Sequence, residues 1–252
     1  MIDYVISNSG GRTSGYMTWL LLQEPRPNTI ICFCNTGKER EETLQFLHDQ
    51  ETHWGIKIHW LEYDPETKFR EVTFETASRD GRPFHDLITK RKFTPNPVTR
   101  FCTIELKIRV IKNFVQSTGT KHWVNVVEIR ADERHRANEA THSVWTNEFP
   151  LVERNLTKED VMNFWSKQPF DLQLKSYQGN CDLCFLKSNK KLIQLIRENP
   201  ASADWWIEQE TKIGGTFKKD VSFSALKDFA LRQQRMFEMD EETESINCVC
   251  TD

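Results

Sequence analysis

Apolar residues near the start of the chain change period repeatedly. Residues 3–7 (DYVIS) form a short apolar run that breaks at SNSGG, and TSGYMTWLLLQ then carries apolar residues at helical spacing. A strand, a glycine turn and a helix are predicted in succession. Pro25 and Pro27 end that helix, residues 29–34 (TIICFC) predict a second strand, and residues 39–54 a charged amphipathic helix behind the turn Asn35, Thr36, Gly37. Residues 57–62 (KIHWLE) alternate as a third strand. Strands separated by single helices predict right-handed βαβ crossovers and a parallel sheet covered on both faces.

The pattern weakens over residues 63–100, where Asp80, Gly81, Pro95, Asn96 and Pro97 mark turns; a functional loop region with one short helix over 84–90 is expected. A helix is predicted over 103–116, then a strand over 123–129 that ends in IRADERHR. Thr157 followed by Asp160 reads as a capping box opening a helix through Trp165. A cysteine turn and two or three helices between 190 and 237 follow. The expected organisation is an α/β unit over 1–150, a helical subdomain over 151–237 that carries the CxxC turn, and an acidic tail over 238–252 with a CxC. The fold class is therefore α/β, with a twisted, mainly parallel five-stranded sheet, helices on both faces and a C-terminal helical subdomain.

Eight Trp and sixteen Phe among 252 residues supply a core too rich for a disordered chain. The balance of 34 Lys and Arg against 37 Asp and Glu leaves −3, which excludes a protein that coats nucleic acid by bulk charge. No apolar stretch approaches the ~20 residues that cross a bilayer, and MIDYVISNSGG lacks the cationic start of a secretory signal, so a cytoplasmic location without membrane contact is expected. In such a reducing compartment, seven cysteines in close pairs and singles suit metal or sulfur chemistry better than a disulfide framework.

Ser9, Gly10, Gly11, Arg12, Thr13 and Ser14 lie between the first strand and the first helix, where backbone N–H groups and the positive helix end hold phosphates. An ordinary glycine turn with a serine cap is the alternative. Cys181 and Cys184 share one tight turn in GNCDLCFLK, and Cys102 in RFCT opens a helix whose dipole favours thiolate. Three thiolates suit zinc or an iron–sulfur cluster, while a CxxC alone is equally a structural zinc half-site or an unmetallated turn. Cys248 and Cys250 stay open as a fourth ligand, as mobile persulfide carriers or as exposed tail residues. Cys32 and Cys34, alternating in an apolar strand, read as small core residues on one face.

Positive residues gather around Cys102 (Lys90, Arg91, Lys92, Arg100, Lys107, Arg109 and Lys112), and Arg130, Arg134 and Arg136 follow the strand over 123–129. Such a patch clamps phosphates of ATP or of a nucleic acid backbone, though Lys112 reads as solvated helix surface. Arginines at strand ends weigh more, because open parallel sheets bind ligands there. Trp205 and Trp206 read as packing residues.

SNSGGRTSGYM resembles the loop of the PP-loop, or N-type, ATP pyrophosphatases, in particular the branch named after phosphoadenosine phosphosulfate reductase. CNTGKEREETLQFL, RFCTIELKIRVI and EIRADERHR extend the resemblance over residues 1–196. It implies an adenine nucleotide alpha-hydrolase-like fold and ATP bound by Ser9 to Ser14, by Asn35, Thr36 and Gly37, and by Arg130. It also implies a [4Fe-4S] cluster on Cys102, Cys181 and Cys184; either Cys250 or Cys248 supplies a fourth ligand, or that ligand is absent and one iron stays open to take a sulfur atom. Ser9, Arg130 and Cys102 are the implied catalytic residues. One departure stands out: Thr13 occupies the place of the family's loop aspartate, so magnesium would rely on Asp132 or Glu133, each equally a helix-capping carboxylate.

The implied reaction is attack of a substrate oxygen on the α-phosphate of ATP, loss of pyrophosphate, and displacement of AMP by cluster or persulfide sulfur. Similar enzymes of DNA phosphorothioation, some carried by phages, place DNA first as substrate and tRNA thiolation second, with a cysteine desulfurase as sulfur donor and a homodimer as the expected assembly. A reductase of adenylylated sulfate is the alternative; it expects a terminal ECGxH context where this chain has CVCTD, and adjacent cysteines where it has the single Cys102. A nucleotide-binding module without chemistry draws on Thr13 alone.

Overall fold

Residues 2–137 and 144–232 are described by the structure, a computed structural model. The tail over 238–252, with Cys248 and Cys250, and the end of the last predicted helix lie outside the described residues. The elements are β1 (Tyr4–Ser7), α1 (Arg12–Gln23), β2 (Thr29–Asn35), α2 (Glu41–Trp54), β3 (Ile58–Glu62), β4 (Arg70–Val72) and α3 (Arg82–Arg91). Then come α4 (Phe101–Thr103), a π-helical turn (Ile104–Ile108), α5 (Arg109–Ser117), β5 (Trp123–Val126), a 3-10 turn (Ala131–Arg136), β6 (Trp145–Glu148), α6 (Pro150–Glu153) and α7 (Lys158–Trp165). Last are α8 (Asn189–Glu198), α9 (Asp204–Ile213) and α10 (Phe223–Arg232).

The sheet has six strands in the order β4-β3-β2-β1-β5-β6, parallel except for the antiparallel edge pair β3–β4. This corrects the five-stranded expectation. The edge strands escape a hydrophobic reading because β4 is three residues long and β6 reads WTNE, neither carrying an apolar alternation. The helix predicted over 103–116 begins at Phe101 and contains the π-turn, whose closing bond runs from the Arg109 N–H to the Ile104 carbonyl.

Alternation along the strands sorts the core. Val5, Cys32, Cys34 and Leu61 face one side and pack with α3, α5 and α8–α10; Ile6, Ile31, Phe33, Ile58 and Trp60 face the other and pack on α1 and α2. Cys32 and Cys34 are thus core residues on a shared face, at 0% and 4% exposure. Burial pushes the Cys34 thiol up to about 12, with Lys107 pulling against it and Glu39 adding to it; burial, then the Cys34 neighbour, raises Cys32 well above the ordinary range. Neither is a thiolate near neutral pH.

The residues after 150 divide between the two faces. Trp165 of α7 donates its Nε1–H to the Arg12 carbonyl at 2.7 Å and covers Gly15 of α1, whereas α8–α10 share the core of the opposite face. Thr157 and Asp160 form the predicted capping box. No helix among the described residues is long and apolar enough to cross a membrane.

Glu210 ties the C-terminal helices together: buried in α9, it accepts the N–H of Phe217 at 3.0 Å and of Phe223 at 2.8 Å. Burial raises its carboxyl above the ordinary glutamate range, against those two N–H groups. A raised folded value means that its stabilising contribution is full below the unfolded pKa and declines as pH rises through the folded one. Glu210→Ala orphans two buried donors and is expected to cost about 2 kcal/mol or more in urea unfolding. The gap to wild type should narrow as the pH is raised through the carboxylate range; a gap that widens contradicts the raised value.

Candidate functional site

The strand order reverses about β1: α1 leads to β2 on one side, and the chain later returns to β5 on the other. The carboxyl ends of β1 and β5 therefore form a topological switch point, the crevice in which open α/β sheets take their ligands. Four segments, 8–14, 35–40, 128–136 and 180–184, meet around it.

The first is the glycine loop. Buried Asn8 organises it: its Oδ1 accepts the Gly10 N–H at 3.0 Å and the Ser14 hydroxyl at 3.0 Å, while its Nδ2 donates to Gln50 Oε1 at 2.8 Å. The chain turns at Gly10, φ +77°. Ser9 Oγ donates to Glu128 Oε1 at 2.9 Å across the switch point, and the Gly11 N–H reaches Ser9 Oγ at 3.3 Å. Gly15 is the first residue of α1 whose N–H finds a helical acceptor, the Gly11 carbonyl at 3.0 Å. The N–H groups of Arg12, Thr13 and Ser14 precede it and have no intrahelical acceptor, which is the arrangement that receives an anion.

The Arg12 side chain is turned away from this loop. Its guanidinium grips Asp171 at 2.7 and 2.8 Å and also the Leu172 carbonyl, so it anchors the segment after α7. Thr13 Oγ1 instead meets Arg130, whose Nη1 lies 3.4 Å away. Arg130 is also paired with Asp132 at 3.0 Å and with Glu133 at 3.2 Å. Burial works to raise the Asp132 carboxyl, but the hydrogen bond and charge of Arg130, with the N–H groups of Asp132 and Lys158, outweigh it and hold it below the ordinary aspartate range. It is an ionised carboxylate at neutral pH.

The turn after β2 is self-contained. Asn35 Oδ1 accepts the Gly37 N–H at 3.0 Å, and Glu39 Oε2 accepts the Thr36 N–H and hydroxyl at 2.7 and 2.9 Å. Fully buried Glu62 at the end of β3 receives Asn35 Nδ2 at 2.6 Å, the Ser78 N–H at 2.6 Å and Arg70. Gly37, φ +79°, lies so close to Gly81 that a Cβ would stand 2.9 Å from the Gly81 Cα. The Asn35 side chain, the Thr36 hydroxyl and the N–H groups of Thr36 and Gly37 are thus all bonded within the chain, which makes this turn rigid. Trp205 packs behind this turn, against Gly81 and under the Lys38 ammonium at 5.1 Å, while Trp206 is core.

The CxxC segment is laced to both loops. Asn180 Nδ2 donates to the Ser9 carbonyl at 2.8 Å, the Arg40 N–H reaches the Asn180 carbonyl at 2.7 Å, and the Asp182 N–H reaches the Lys38 carbonyl at 2.9 Å. Half-buried Cys181 faces Glu39, with Sγ 3.9 Å from Oε1, and Lys107 Nζ is 3.9 Å from the same oxygen. Cys184 is buried, and Cys102 is half-buried at the start of α4. Among the described residues no three His, Cys, Asp or Glu side chains form a group that could hold a metal ion. The described cysteines do not by themselves fit a three-thiolate cluster site, and Cys250 lies outside them.

Asn8, Glu128, Asn180, Glu39 and Glu62 hold the site, and none stands out in the sequence. Asn8 had a local signal, an asparagine directly between a buried strand and a glycine turn. Glu39 acts three residues away, on Thr36, whereas Glu62, Glu128 and Asn180 act on partners far away in the chain, as Glu128 does on Ser9.

No protein-family profile matches the chain. An uncharacterised nin region protein, ORF290 of Escherichia phage lambda, is 32% identical to it over 200 residues, 75% of this chain and 67% of that protein. Among solved structures, the chain is similar to NMN synthetase from Francisella tularensis, with 13% identity, coverage of 94% of this chain and 88% of that one, and a TM-score of 0.46. The U34-tRNA thiolase NcsA from Methanococcus maripaludis, solved with its [4Fe-4S] cluster, shows 12% identity, coverage of 94% and 82%, and a TM-score of 0.40.

Proposed function

We propose that this chain, which belongs to the family of the phage lambda nin region protein ORF290, is a PP-loop ATP pyrophosphatase that adenylates an oxygen of a nucleic acid and so opens it to sulfur insertion. DNA phosphorothioation is the leading case and tRNA thiolation the second. The observation that carries the reading is the glycine loop at the switch point, where α1 begins with N–H groups that lack intrahelical acceptors, beside the Ser9–Glu128 bond.

In this reaction the substrate oxygen attacks the α-phosphorus of ATP, a new P–O bond forms, and the bond to the β-phosphate oxygen breaks. Pyrophosphate carries away the electron pair, and its growing charge falls on the N–H groups of Arg12, Thr13 and Ser14. Arg130, held beside Thr13, adds a fixed positive charge at the same end of the crevice. A magnesium ion would be held by ionised Asp132 together with the phosphates, and when bound it would neutralise phosphate charge. Cys181 and Cys102 are the proposed sulfur carriers: the outer sulfur of a persulfide left there by a cysteine desulfurase attacks the activated atom, AMP leaves, and a thiol reductant then cleaves the S–S bond, freeing the carrier thiol and leaving the outer sulfur on the nucleic acid.

Incubation with ATP and single-stranded DNA is expected to release pyrophosphate and to leave one AMP for each, bound to the DNA until a persulfide or water displaces it, the products being separated by ion-exchange chromatography. Arg130→Ala should slow this by about 10²-fold, the size of a lost transition-state charge contact. Products of ADP and orthophosphate, or ATP left intact with DNA and tRNA alike, would rule the reading out.

A further inference from the structure

The chain is acidic overall, yet residues 90–112 hold seven Lys and Arg against one carboxylate, Glu105. Part of this charge has a local explanation: Lys90 and Arg91 occupy the last turn of α3, where cations suit the helix dipole, and Lys107 points inward to Glu39. Lys92 and Arg109 are both exposed. Glu105 lies between strands of this charge rather than cancelling it: its Oε1 is shared by Arg91 and, at 2.7 Å, by Arg109. One carboxylate fixes two guanidiniums and leaves a positive surplus.

Apolar side chains break the surface in the same segment. Phe93 is 39% exposed, Val98 94% and Ile104 48%. Solvating cations alone does not require them. Phe93 stands edge-on to Phe101, with ring centroids 4.8 Å apart, and the Arg91 guanidinium lies over Phe101 at 5.7 Å. The aromatic side chain is therefore braced by buried Phe101 while it remains open to solvent, and Arg91 and Lys92 precede it in the chain.

We propose that the end of α3, the loop to Arg100 and the α4 and π-turn segment form a docking surface for an unpaired stretch of polynucleotide, which they lead to the crevice. This deepens, and rests on, the reading of the chain as a nucleic-acid-adenylating enzyme. Phosphates match the surplus of Lys and Arg, and exposed base faces match Phe93 and Val98; a duplex hides those faces, and a merely acidic peptide has none. The surface also runs into the site, because Cys102 lies between Phe101 and the π-turn, and Lys107 of that turn reaches Glu39 beside Cys181.

Fluorescence anisotropy of the full chain with a labelled 20-nucleotide single strand, as DNA and as RNA, tests this against a duplex of the same sequence and a polyglutamate peptide. At least one single strand is expected to bind ten-fold or more tighter than the duplex. Lys90→Glu with Lys92→Glu should weaken it by at least ten-fold and flatten the salt dependence by about 1.4 in the log–log slope, two contacts at ~0.7 each. Phe93→Ala should weaken the single strand several-fold and leave the duplex unchanged. Equal binding by the charge-reversal pair, equal affinity for duplex and single strand, or competition by polyglutamate with no effect of Phe93→Ala overturns the proposal. Ser9→Ala separates the two readings: it should bind the oligonucleotide as wild type does. If wild type binds the strand as described yet releases no pyrophosphate, the surface stands and the adenylation reading falls.

Discussion

Ser9→Ala is expected to lower pyrophosphate release by about 10²-fold, the loss that follows when groups orienting the reacting phosphates shift by ~1 Å. The Ser9 hydroxyl joins the two sides of the crevice: it donates to Glu128 at the end of β5, and it sits 3.1 Å from Ser14 Oγ and 3.3 Å from the Gly11 N–H at the start of α1. Without it the carboxylate of Glu128 is released from the loop, and the first turn of α1 loses the contact that orients it. The backbone keeps its path, because Asn8 still holds Gly10 and Ser14, and Asn180 still holds the Ser9 carbonyl. The stability cost should therefore stay near one ordinary hydrogen bond, about 1 kcal/mol. Pyrophosphate release and the urea midpoint, measured on the same preparation, separate the two effects; wild-type turnover in the variant would remove Ser9 from the reaction.

Gly10→Ala is expected to act on the fold. Gly10 has φ +77°, and an added Cβ would stand 2.6 Å from Thr43 Cγ2 and 3.1 Å from Leu47 Cδ1. Both neighbours are fully buried on α2, so they cannot swing aside into water. The left-handed backbone costs an alanine about 1–2 kcal/mol and overpacking a further 1–3, roughly 2–5 kcal/mol together. Loss of activity in this variant would thus report unfolding, where Ser9→Ala reports chemistry. Thr43→Ser, which deletes the clashing methyl, should restore part of the lost stability in the double variant. A urea midpoint for Gly10→Ala equal to that of wild type would contradict the close approach.

The strand, glycine turn and helix at the start of the chain were legible because their signals are local. A buried run of β-branched residues, two glycines and an apolar period near 3.6 each act within a few residues, and β1, the loop and α1 follow them. The same holds for Cys32 and Cys34, whose period of two places them on one buried face, and for Thr157 with Asp160, a cap spanning three residues. Arg12 shows where such reading stops. Its place at the start of α1 is a local matter, but no local signal showed that its long side chain is claimed by Asp171, 159 residues away. Similarly, the Asn35–Gly37 turn was visible, but not that Glu39 and Glu62 consume its polar groups.

What the sequence by itself determined is the βαβ frame, the place of the glycine loop at the end of the first strand, and the sorting of apolar residues onto two sheet faces. Periodicity and turn chemistry are enforced residue by residue and need no distant partner. Only the tertiary structure decided that the edges carry β4 and β6, that Glu128 meets Ser9, and that Asn180 lays the CxxC turn against the loop. These are pairings of polar groups across 119 and 171 residues, worth little in the unfolded chain, and they become favourable once the sheet has brought their backbones together and removed the competing water.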